Sequence, residues 1–364
     1  MVEIVLENLT KKFGEKTAVD NLNLKVEDEE FFVLLGPSGC GKTTTLNIIA
    51  GLEKATTGNI YFGTTLVNDV PTEKRDVAMV FQSYALYPHI TVFDNIAFPL
   101  KIKRFPKSEF KRKVKEVSSL LRIDNLLNRM PYELSGGERQ RVALARAIVR
   151  EPKVFLLDEP LSNIDAKLRV YARAELSKLQ KDLKITTIYV THDQVEAMSM
   201  ADRIAVMCEG KTMQVGDPST IFEKPRNKFV ADFVGMPPMN FFDCQVSKKA
   251  DGLYLENDFM SICVPEEIAG FIGKHVTTPE LMLGIRPHDM KILKVRSSEE
   301  DFKCKVYAIE PLGTETIVIL EVRDSIIKVV THGAPPVKLE EEAWVSMDKS
   351  RIHLFDMKTE KAIL

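Results

Sequence analysis

The chain has 364 residues, which is enough for about two domains of ordinary size. Its 50 basic and 52 acidic residues nearly cancel, so the charge gives no reason to expect a general nucleic-acid-binding protein. No stretch approaches the ~18 apolar residues of a membrane-spanning helix, and the five scattered cysteines lack metal-ligand spacing and fit a reduced cytosolic protein. We therefore do not expect the chain to form a channel itself. At the N-terminus, residues 1–8 predict a short strand rather than a signal peptide.

The first motif with chemical content is a glycine-rich loop between a predicted strand and a predicted helix. Residues 36–43 fit the pattern G-x-x-x-x-G-K-[ST], after the apolar run Phe31–Leu35 and before a helical pattern at 44–51. Such a loop cradles phosphates with its backbone amides. Lys42 would add a positive charge between the β- and γ-phosphates, and Thr43 would offer its hydroxyl to Mg²⁺. The residues predicted to bind nucleotide here are Gly36, Pro37, Ser38, Gly39, Cys40, Gly41, Lys42, Thr43 and Thr44.

Cys40 lies inside this loop, at a helix start and close to Lys42. This environment favours a thiolate. The sequence leaves two interpretations open: a reactive thiol whose alkylation abolishes nucleotide hydrolysis, or a small residue that fills a tight turn.

Three further apolar runs are each followed by polar residues. The runs and their polar residues are 77–80 with Gln82, 154–157 with Asp158 and Glu159, and 186–190 with His192. Continuous apolar strands separated by helices predict a parallel sheet buried on both faces. Ligands of such sheets gather beyond the carboxyl ends of the strands. The sequence therefore predicts that these polar side chains meet beside the phosphate loop.

Residues 88–152 predict a helical subdomain inserted between two of these strands. An apolar stripe at helical spacing predicts core packing there, at Phe110, Val114, Val117, Leu120 and Leu121. Residues 83–89, which follow Gln82 and are rich in aromatics, would suit docking of a partner helix if exposed and would be ordinary core if buried.

A second glycine turn, residues 134–141, opens a helix shortly before Asp158. Gly136 and Gly137 leave backbone amides unobstructed, and Ser135 can cap the helix. A helix N-terminus attracts anions. One molecule with two anion-binding helix starts needs either two phosphates or two copies of itself facing each other.

Near residue 235 the pattern changes to short alternating strands punctuated by turns. The predicted strands are 253–264, 281–285, 302–309, 316–322, 326–331 and 351–355. They predict a small all-β unit, a barrel of the OB type. We therefore divide the chain into a nucleotide-binding domain at 1–235 and a β-rich accessory domain at 236–364. An OB-like barrel can also bind oligonucleotide, but no basic–aromatic stripe supports that here.

On these motifs the chain resembles the ATP-binding-cassette (ABC) ATPases, and among them the ATPase subunits of carbohydrate importers of the maltose type. The nucleotide motifs are specific and span the first two-thirds of the chain, and residues 284–287 and 311–315 resemble the accessory domain of those importers. The resemblance implies an α/β P-loop (RecA-like) fold with a mostly parallel sheet, an antiparallel part and a helical subdomain. An all-β OB-like domain is implied at the C-terminus.

The resemblance also implies a role for each site residue. Glu159 corresponds to the catalytic carboxylate that orients or deprotonates the attacking water, and the other implied catalytic residues are His192, Lys42 and Gln82. The implied Mg²⁺ site consists of Thr43, Gln82 and Asp158.

Further nucleotide contacts are implied outside the phosphate loop. Phe13 corresponds to the aromatic residue that stacks on adenine. The signature residues that close on the γ-phosphate of ATP held by the opposite subunit correspond to Ser135, Gly136 and Gly137, followed by Glu138 where the family often has Gln. Residues 161–165, which end in Asp165, correspond to the loop that links the two sites. The resemblance thus implies a head-to-tail homodimer that buries two ATP molecules.

The implied function is the ATP-hydrolysing subunit of an importer at the cytoplasmic face of the membrane. Its implied partners are two integral membrane permease subunits and, indirectly, an extracytoplasmic solute-binding protein, with no nucleic acid. Family analogy favours a sugar, but polyamine, sulfate or molybdate stays open because the ATPase does not need to touch the cargo. The alternative is a soluble ABC ATPase acting on DNA or ribosomes. Such proteins usually carry paired cassettes or long coiled-coil insertions, and the sequence has neither an internal repeat nor sustained heptads.

Overall fold

The computed structural model describes residues 2–275 and 279–363, so that only Met1 of the predicted N-terminal strand lies outside the described residues. The chain divides into two compact units, Met1–Ile221 and Phe222–Leu364. Across the described ranges, no helix combines the length and the apolar character needed to cross a membrane.

The first unit mixes strands and helices. Its strands are β1 (Ile4–Phe13), β2 (Lys16–Val26), β3 (Phe31–Leu35), β4 (Thr57–Phe62), β5 (Thr65–Leu66), β6 (Val77–Val80), β7 (Val154–Asp158), β8 (Thr186–Thr191), β9 (Arg203–Cys208) and β10 (Lys211–Gly216). Its α-helices are α1 (Lys42–Ala50), α2 (Val92–Ile102), α3 (Lys107–Leu120), α4 (Gly136–Ile148), α5 (Ala166–Leu183), α6 (Gln194–Met200) and α7 (Pro218–Glu223), in which the division between the units falls. Short 3₁₀ helices lie at Thr72–Lys74, Asp124–Leu126 and Pro131–Glu133.

A six-stranded sheet, in the order β10-β9-β3-β8-β7-β6, forms the centre of the first unit. All neighbours in it are parallel except β10, which pairs with β9 in the antiparallel sense. Every residue of β3, β7 and β8 is buried, which confirms the predicted sheet with both faces covered. A four-stranded antiparallel sheet, β2-β1-β4-β5, makes up the antiparallel part.

The insertion between β6 and β7 is helical, as predicted. Its core is a cluster of buried side chains on α2, α3, α4 and the connecting segments, among them Val92, Ile96, Leu100, Val114, Leu126, Val142 and Ala145. The predicted stripe on α3 departs from this core at Leu120, which is 45% exposed. Leu120 is the last residue of α3 and lines an open cleft. Helical periodicity therefore identified the face on which it lies, but not the residue at which burial of that face stops.

The second unit is mostly antiparallel sheet. Its strands are β11 (Asn240–Lys249), β12 (Gly252–Glu256), β13 (Ser261–Cys263), β14 (Glu280–Ile285), β15 (Met290–Leu293), β16 (Phe302–Pro311), β17 (Glu315–Val322), β18 (Ser325–His332), β19 (Glu342–Met347) and β20 (His353–Asp356). Its helices are α8 (Lys228–Phe233) and α9 (Glu266–His275), with 3₁₀ helices at Pro287–Asp289 and Lys349–Arg351.

Two five-stranded sheets build this unit, in the orders β13-β12-β11-β14-β20 and β15-β19-β16-β17-β18. Apolar side chains from both sheets form one core. The single strand predicted over 253–264 is instead two strands, because the side chain of Asn257 accepts hydrogen bonds from the backbone N–H groups of Phe259 and Met260 and so makes a turn.

Candidate active site

The phosphate loop connects the end of β3 to the start of α1 through positions that admit only glycine. Gly41 has a φ of +102°, and a Cβ there would lie 2.3 Å from the carbonyl oxygen of Ala18. A Cβ at Gly36 would lie 2.3 Å from the carbonyl oxygen of Met207. Both glycines are therefore required by the path of the chain, and α1 begins directly afterwards at Lys42.

Lys42 is held inside the loop and is only 5% exposed. Its ammonium group donates to the carbonyl oxygens of Gly36 at 2.7 Å and Pro37 at 2.9 Å, and lies 3.7 Å from the sulfur of Cys40. Cys40 is itself 4% exposed, and its sulfur would lie 2.7 Å from a Cβ on Gly36. This burial favours the packing interpretation of Cys40 over the reactive one.

Asp158, the last residue of β7, faces the start of α1. Its Oδ1 accepts a hydrogen bond of 3.0 Å from the hydroxyl of Thr43, and it is 8% exposed. Burial raises the pKa of the Asp158 carboxyl, with the neighbouring Glu159 as a smaller cause in the same direction. Hydroxyl and carboxylate oxygens are ligands that Mg²⁺ prefers, so this pair fits two of the three predicted metal ligands. The side-chain nitrogen of the third, Gln82, is bonded to Glu159.

Glu159 lies between two polar side chains from the neighbouring strand ends. Its Oε1 is 3.0 Å from Nδ1 of His192, and its Oε2 accepts a hydrogen bond of 3.2 Å from Nε2 of Gln82. The backbone of Glu159 has a φ of +44°, an uncommon conformation for a residue with a Cβ, and its N–H donates to the carbonyl of Val190 at 3.0 Å. The structure thus brings together the polar ends of β6, β7 and β8.

The signature turn, residues 134–141, starts α4 with a capping box. The Ser135 hydroxyl accepts from the backbone N–H of Glu138 at 3.3 Å, and the Glu138 carboxylate accepts from the N–H of Ser135 at 2.8 Å. This backbone hydrogen bond lowers the pKa of Glu138. A Cβ on Gly136 would lie 3.1 Å from the carbonyl oxygen of Asn163, so the turn lies beside residues 161–165.

Three other predicted site residues have different surroundings. Around Gly137 a Cβ would meet nothing within 4 Å. Asp165 caps α5 by accepting a hydrogen bond of 3.0 Å from the backbone N–H of Leu168. The ring of Phe13 is 48% exposed, and the ammonium group of Lys11 lies 4.6 Å from the ring centre. About half of Phe13 is therefore exposed, and Lys11 covers part of its ring.

The aromatic segment 83–89 is mostly exposed. Tyr87 is 43% exposed, whereas Tyr84 is buried at 6%. Arg146 of α4 donates to the carbonyl oxygens of Tyr84 at 2.9 Å and Ala85 at 2.7 Å. The helix that begins at the signature turn is therefore bonded directly to the segment that follows Gln82.

A polar network that the sequence did not predict lies next to His192. The buried carboxylate of Glu196 accepts hydrogen bonds of 2.7 Å from the hydroxyls of both Tyr189 and Thr191, and burial raises its pKa. Asp193 caps α6 through the N–H groups of Val195 and Glu196. An Asp at the cap with a Glu three residues later is a recognisable helix start, and this signal marks both residues in the sequence.

Comparison with known proteins places this site in a family. Residues 19–162 match the family model described as ABC transporter, 235–290 match the MalK OB fold domain, and 283–355 match the TOBE domain. The chain is 51% identical to the trehalose/maltose import ATP-binding protein MalK of Thermococcus litoralis, over the full length of both chains. This chain belongs to the ABC transporter ATP-binding family. The predicted family, the P-loop fold with its OB-like C-terminal part and the ATPase activity are thereby confirmed.

Other similar proteins extend over comparable lengths. This ABC ATPase is 46% identical to the oligosaccharides import ATP-binding protein MsmX of Bacillus subtilis, again over all of both chains. It is 44% identical to the xylose/arabinose import ATP-binding protein XacK of Haloferax volcanii, over 100% of this chain and 96% of that one. A bacterial ABC transporter cassette solved as a dimer covers 59% of this chain and 98% of its own, with 34% identity and a TM-score of 0.54.

Proposed function

We propose that this ABC ATPase energises the import of a sugar through separate permease subunits in the membrane. The observation that carries the proposal is the 51% identity, over the whole of both chains, to a trehalose/maltose import ATP-binding protein. The relatives named for oligosaccharides and for xylose/arabinose support a carbohydrate cargo as well. The accessory matches at 235–290 and 283–355 distinguish the chain from a bare cassette.

The site residues divide the work of phosphoryl transfer to water. Lys42 would neutralise the β- and γ-phosphates, and Thr43 and Asp158 would hold Mg²⁺, which supplies further charge neutralisation when bound. Glu159 would align the attacking water, while His192 and Gln82 hold its carboxylate at 3.0 and 3.2 Å. Catalysis of this kind consists of positioning and charge stabilisation, and these residues supply both.

A second copy of the chain would complete each site. The signature turn starts a helix at Gly136 with its amides at an anion-binding end. A head-to-tail C₂ pair would place this turn on the ATP held by the phosphate loop of the other copy, with residues 161–165 between the two sites. A related cassette solved as a dimer supports this arrangement.

The exposed part of segment 83–89 would dock the permease. It follows Gln82 directly, and Arg146 bonds it to the helix of the signature turn. A partner helix seated there would thus be connected to both the hydrolytic residues and the dimer contact. This geometry supports a peripheral position at the cytoplasmic face of the membrane, and the solute-binding protein would contact only the permeases.

The test uses the Glu159→Gln variant. Loss of the carboxylate should reduce ATP hydrolysis by at least ~10² while ATP binding persists, so ATP should trap the closed dimer. The tagged variant is expressed in the native host and purified with ATP from detergent-solubilised membranes. The control is Glu7→Gln, at an exposed position of β1, which should hydrolyse ATP normally.

A pair of multi-span permeases that copurify with Glu159→Gln would support the importer function, and sugar uptake through them would establish the cargo. Ribosomes, nucleic acid or no membrane partner would contradict it and favour the soluble alternative. A Glu159→Gln variant that still turns over ATP would overturn the catalytic assignment.

A further inference from the structure

Arg169, on the second turn of α5, reaches two loops of the site at once. Its Nη2 donates a hydrogen bond of 3.1 Å to the backbone carbonyl of Ile164, and its Nη1 lies 3.4 Å from Oδ2 of Asp193. The side chains of Arg169 and Asp193 are 29% and 25% exposed. The guanidinium group therefore joins the loop after Glu159 to the loop that carries His192.

On the His192 side, Arg169 contacts Asp193, which other hydrogen bonds already hold in place. Asp193 uses Oδ1 to cap α6, accepting from the N–H of Val195 at 2.8 Å and of Glu196 at 3.2 Å, so Oδ2 is left for Arg169. The N–H of Asp193 donates to the Thr191 hydroxyl at 2.9 Å. His192 is thus flanked by two anchored residues, one at the end of β8 and one at the start of α6.

On the other side, Arg169 holds a segment that is bonded to two of the catalytic groups. The hydroxyl of Ser162 donates to the carbonyl of Glu159 at 2.9 Å. The side-chain amide of Asn163 donates to the carbonyl of Gln82 at 2.8 Å. Ile164 is the next residue, so a shift of its carbonyl would move the two residues that are bonded to Glu159 and Gln82.

We propose that Arg169 is a positioning residue that sets the His192 loop against residues 161–165 and thereby aligns His192 with Glu159. The proposal rests on the proposed function for the roles of those two side chains. Arginine suits this task because its planar fork offers several donors in fixed directions, so that one group satisfies both acceptors. Since 161–165 would face the site of the second copy, the same contact links the two hydrolytic sites.

The test compares Arg169→Met with Arg173→Met, an arginine one turn further along α5. Arg169→Met should lower kcat for ATP hydrolysis by about 10- to 100-fold, because small misplacements of reacting groups have effects of this size. KM for ATP should stay within about twofold, since the phosphate loop is untouched. Arg173→Met should match the unmodified chain in both constants.

Two further variants separate positioning from folding. Asp193→Asn keeps a good helix cap but removes the charge that faces Arg169, so kcat should fall while the thermal midpoint is unchanged. The double variant Arg169→Met/Asp193→Asn should be no slower than Arg169→Met alone, because both changes break one contact. Arg169→Lys should restore only part of the rate, as a lysine lacks the fork.

An unchanged kcat in Arg169→Met, a change confined to KM, or rate losses that simply add in the double variant would overturn the proposal. The purified chain is assayed without permease subunits. Failure to copurify permeases would therefore count against the importer function and leave this result as it stands.

Discussion

Two sets of polar side chains, one in each unit of the chain, make different contacts. In the first unit, polar side chains at the carboxyl edge of the central sheet meet one another, as Glu159 does with Gln82 and His192. In the second unit, the buried cation Arg286 contacts backbone. Arg286 is 4% exposed, and its guanidinium donates to the carbonyl oxygens of Val234 at 2.7 Å and Phe222 at 2.6 Å.

The contacts of Glu159 serve the chemistry of the site, whereas the contacts of Arg286 serve the stability of the fold. Contacts between side chains at a sheet edge can be exchanged for contacts with a nucleotide, without loss of a backbone hydrogen bond. The contacts of Arg286 with two backbone carbonyls hold the fold instead, because their loss leaves buried acceptors unpaired. Substitution of the sheet-edge residues should therefore change ATP turnover, whereas substitution of Arg286 should change stability.

Lys42 refines the comparison, because its carbonyl contacts lie within the phosphate loop, and Lys42→Ala should give the largest effect. Charge-assisted contacts contribute about 1.5–3 kcal/mol, so affinity for ATP should fall by about 10- to 100-fold. Equilibrium binding of a fluorescent ATP analogue measures this. Lys54→Ala, at a side chain 84% exposed, is the matched control and should bind normally. Normal affinity in Lys42→Ala would show that the lysine does not contact phosphate.

Arg286→Met should destabilise the second unit while KM for ATP stays unchanged. The change leaves two carbonyls unpaired and removes a guanidinium 3.7 Å from the ring centre of Phe222, for a loss of about 2–4 kcal/mol. Trp344, the sole tryptophan, lies in this unit, so its fluorescence during urea unfolding reports the loss. Arg323→Met, at a side chain 58% exposed, is the control. An altered KM for ATP in Arg286→Met would show that Arg286 affects more than stability.

The smallest effect should be a pH dependence confined to the second unit. Burial, with a smaller contribution from Arg286, lowers the pKa of His353 to about 4. The unfolded chain binds this proton near pH 6.5 and the folded chain only near pH 4, so stability should fall as the pH drops through that window. The loss should reach about 2 kcal/mol at pH 5.

His353→Gln cannot take up the proton and should flatten the acid branch measured through Trp344. His332→Gln, at a side chain 87% exposed, should keep it. An acid branch that persists in His353→Gln would assign it to other groups.

The residues that meet at the ends of β6, β7 and β8 could be selected from the sequence because their signals are local. The phosphate loop and the capped signature turn are contiguous motifs. The end of each apolar strand is marked in the sequence by the polar residues that follow it. Arg169 was missed because its partner Asp193 is 24 positions away in the chain, and no periodic pattern selects one surface arginine of α5 for a distant cap.

The accessory unit was predicted less completely for a different reason. Alternation of apolar and polar residues indicates a half-buried strand, but it does not indicate where the strand is interrupted. One Asn side chain, at position 257, divides a predicted strand in two. Strand β10 of the first unit was likewise not predicted, since it alternates only weakly between buried and exposed residues.

Because of its left-handed backbone, Glu159 is a position at which thermal stability and catalytic activity favour different residues. A residue with a Cβ at a φ of +44° costs about 1–2 kcal/mol that glycine would not. Glycine at 159 would therefore relax the end of β7 and remove the carboxylate at the same time. Selection of variants for thermal stability alone would favour glycine at this position, and such variants would be inactive. Selection for a more stable enzyme must therefore also assay ATP hydrolysis in every round.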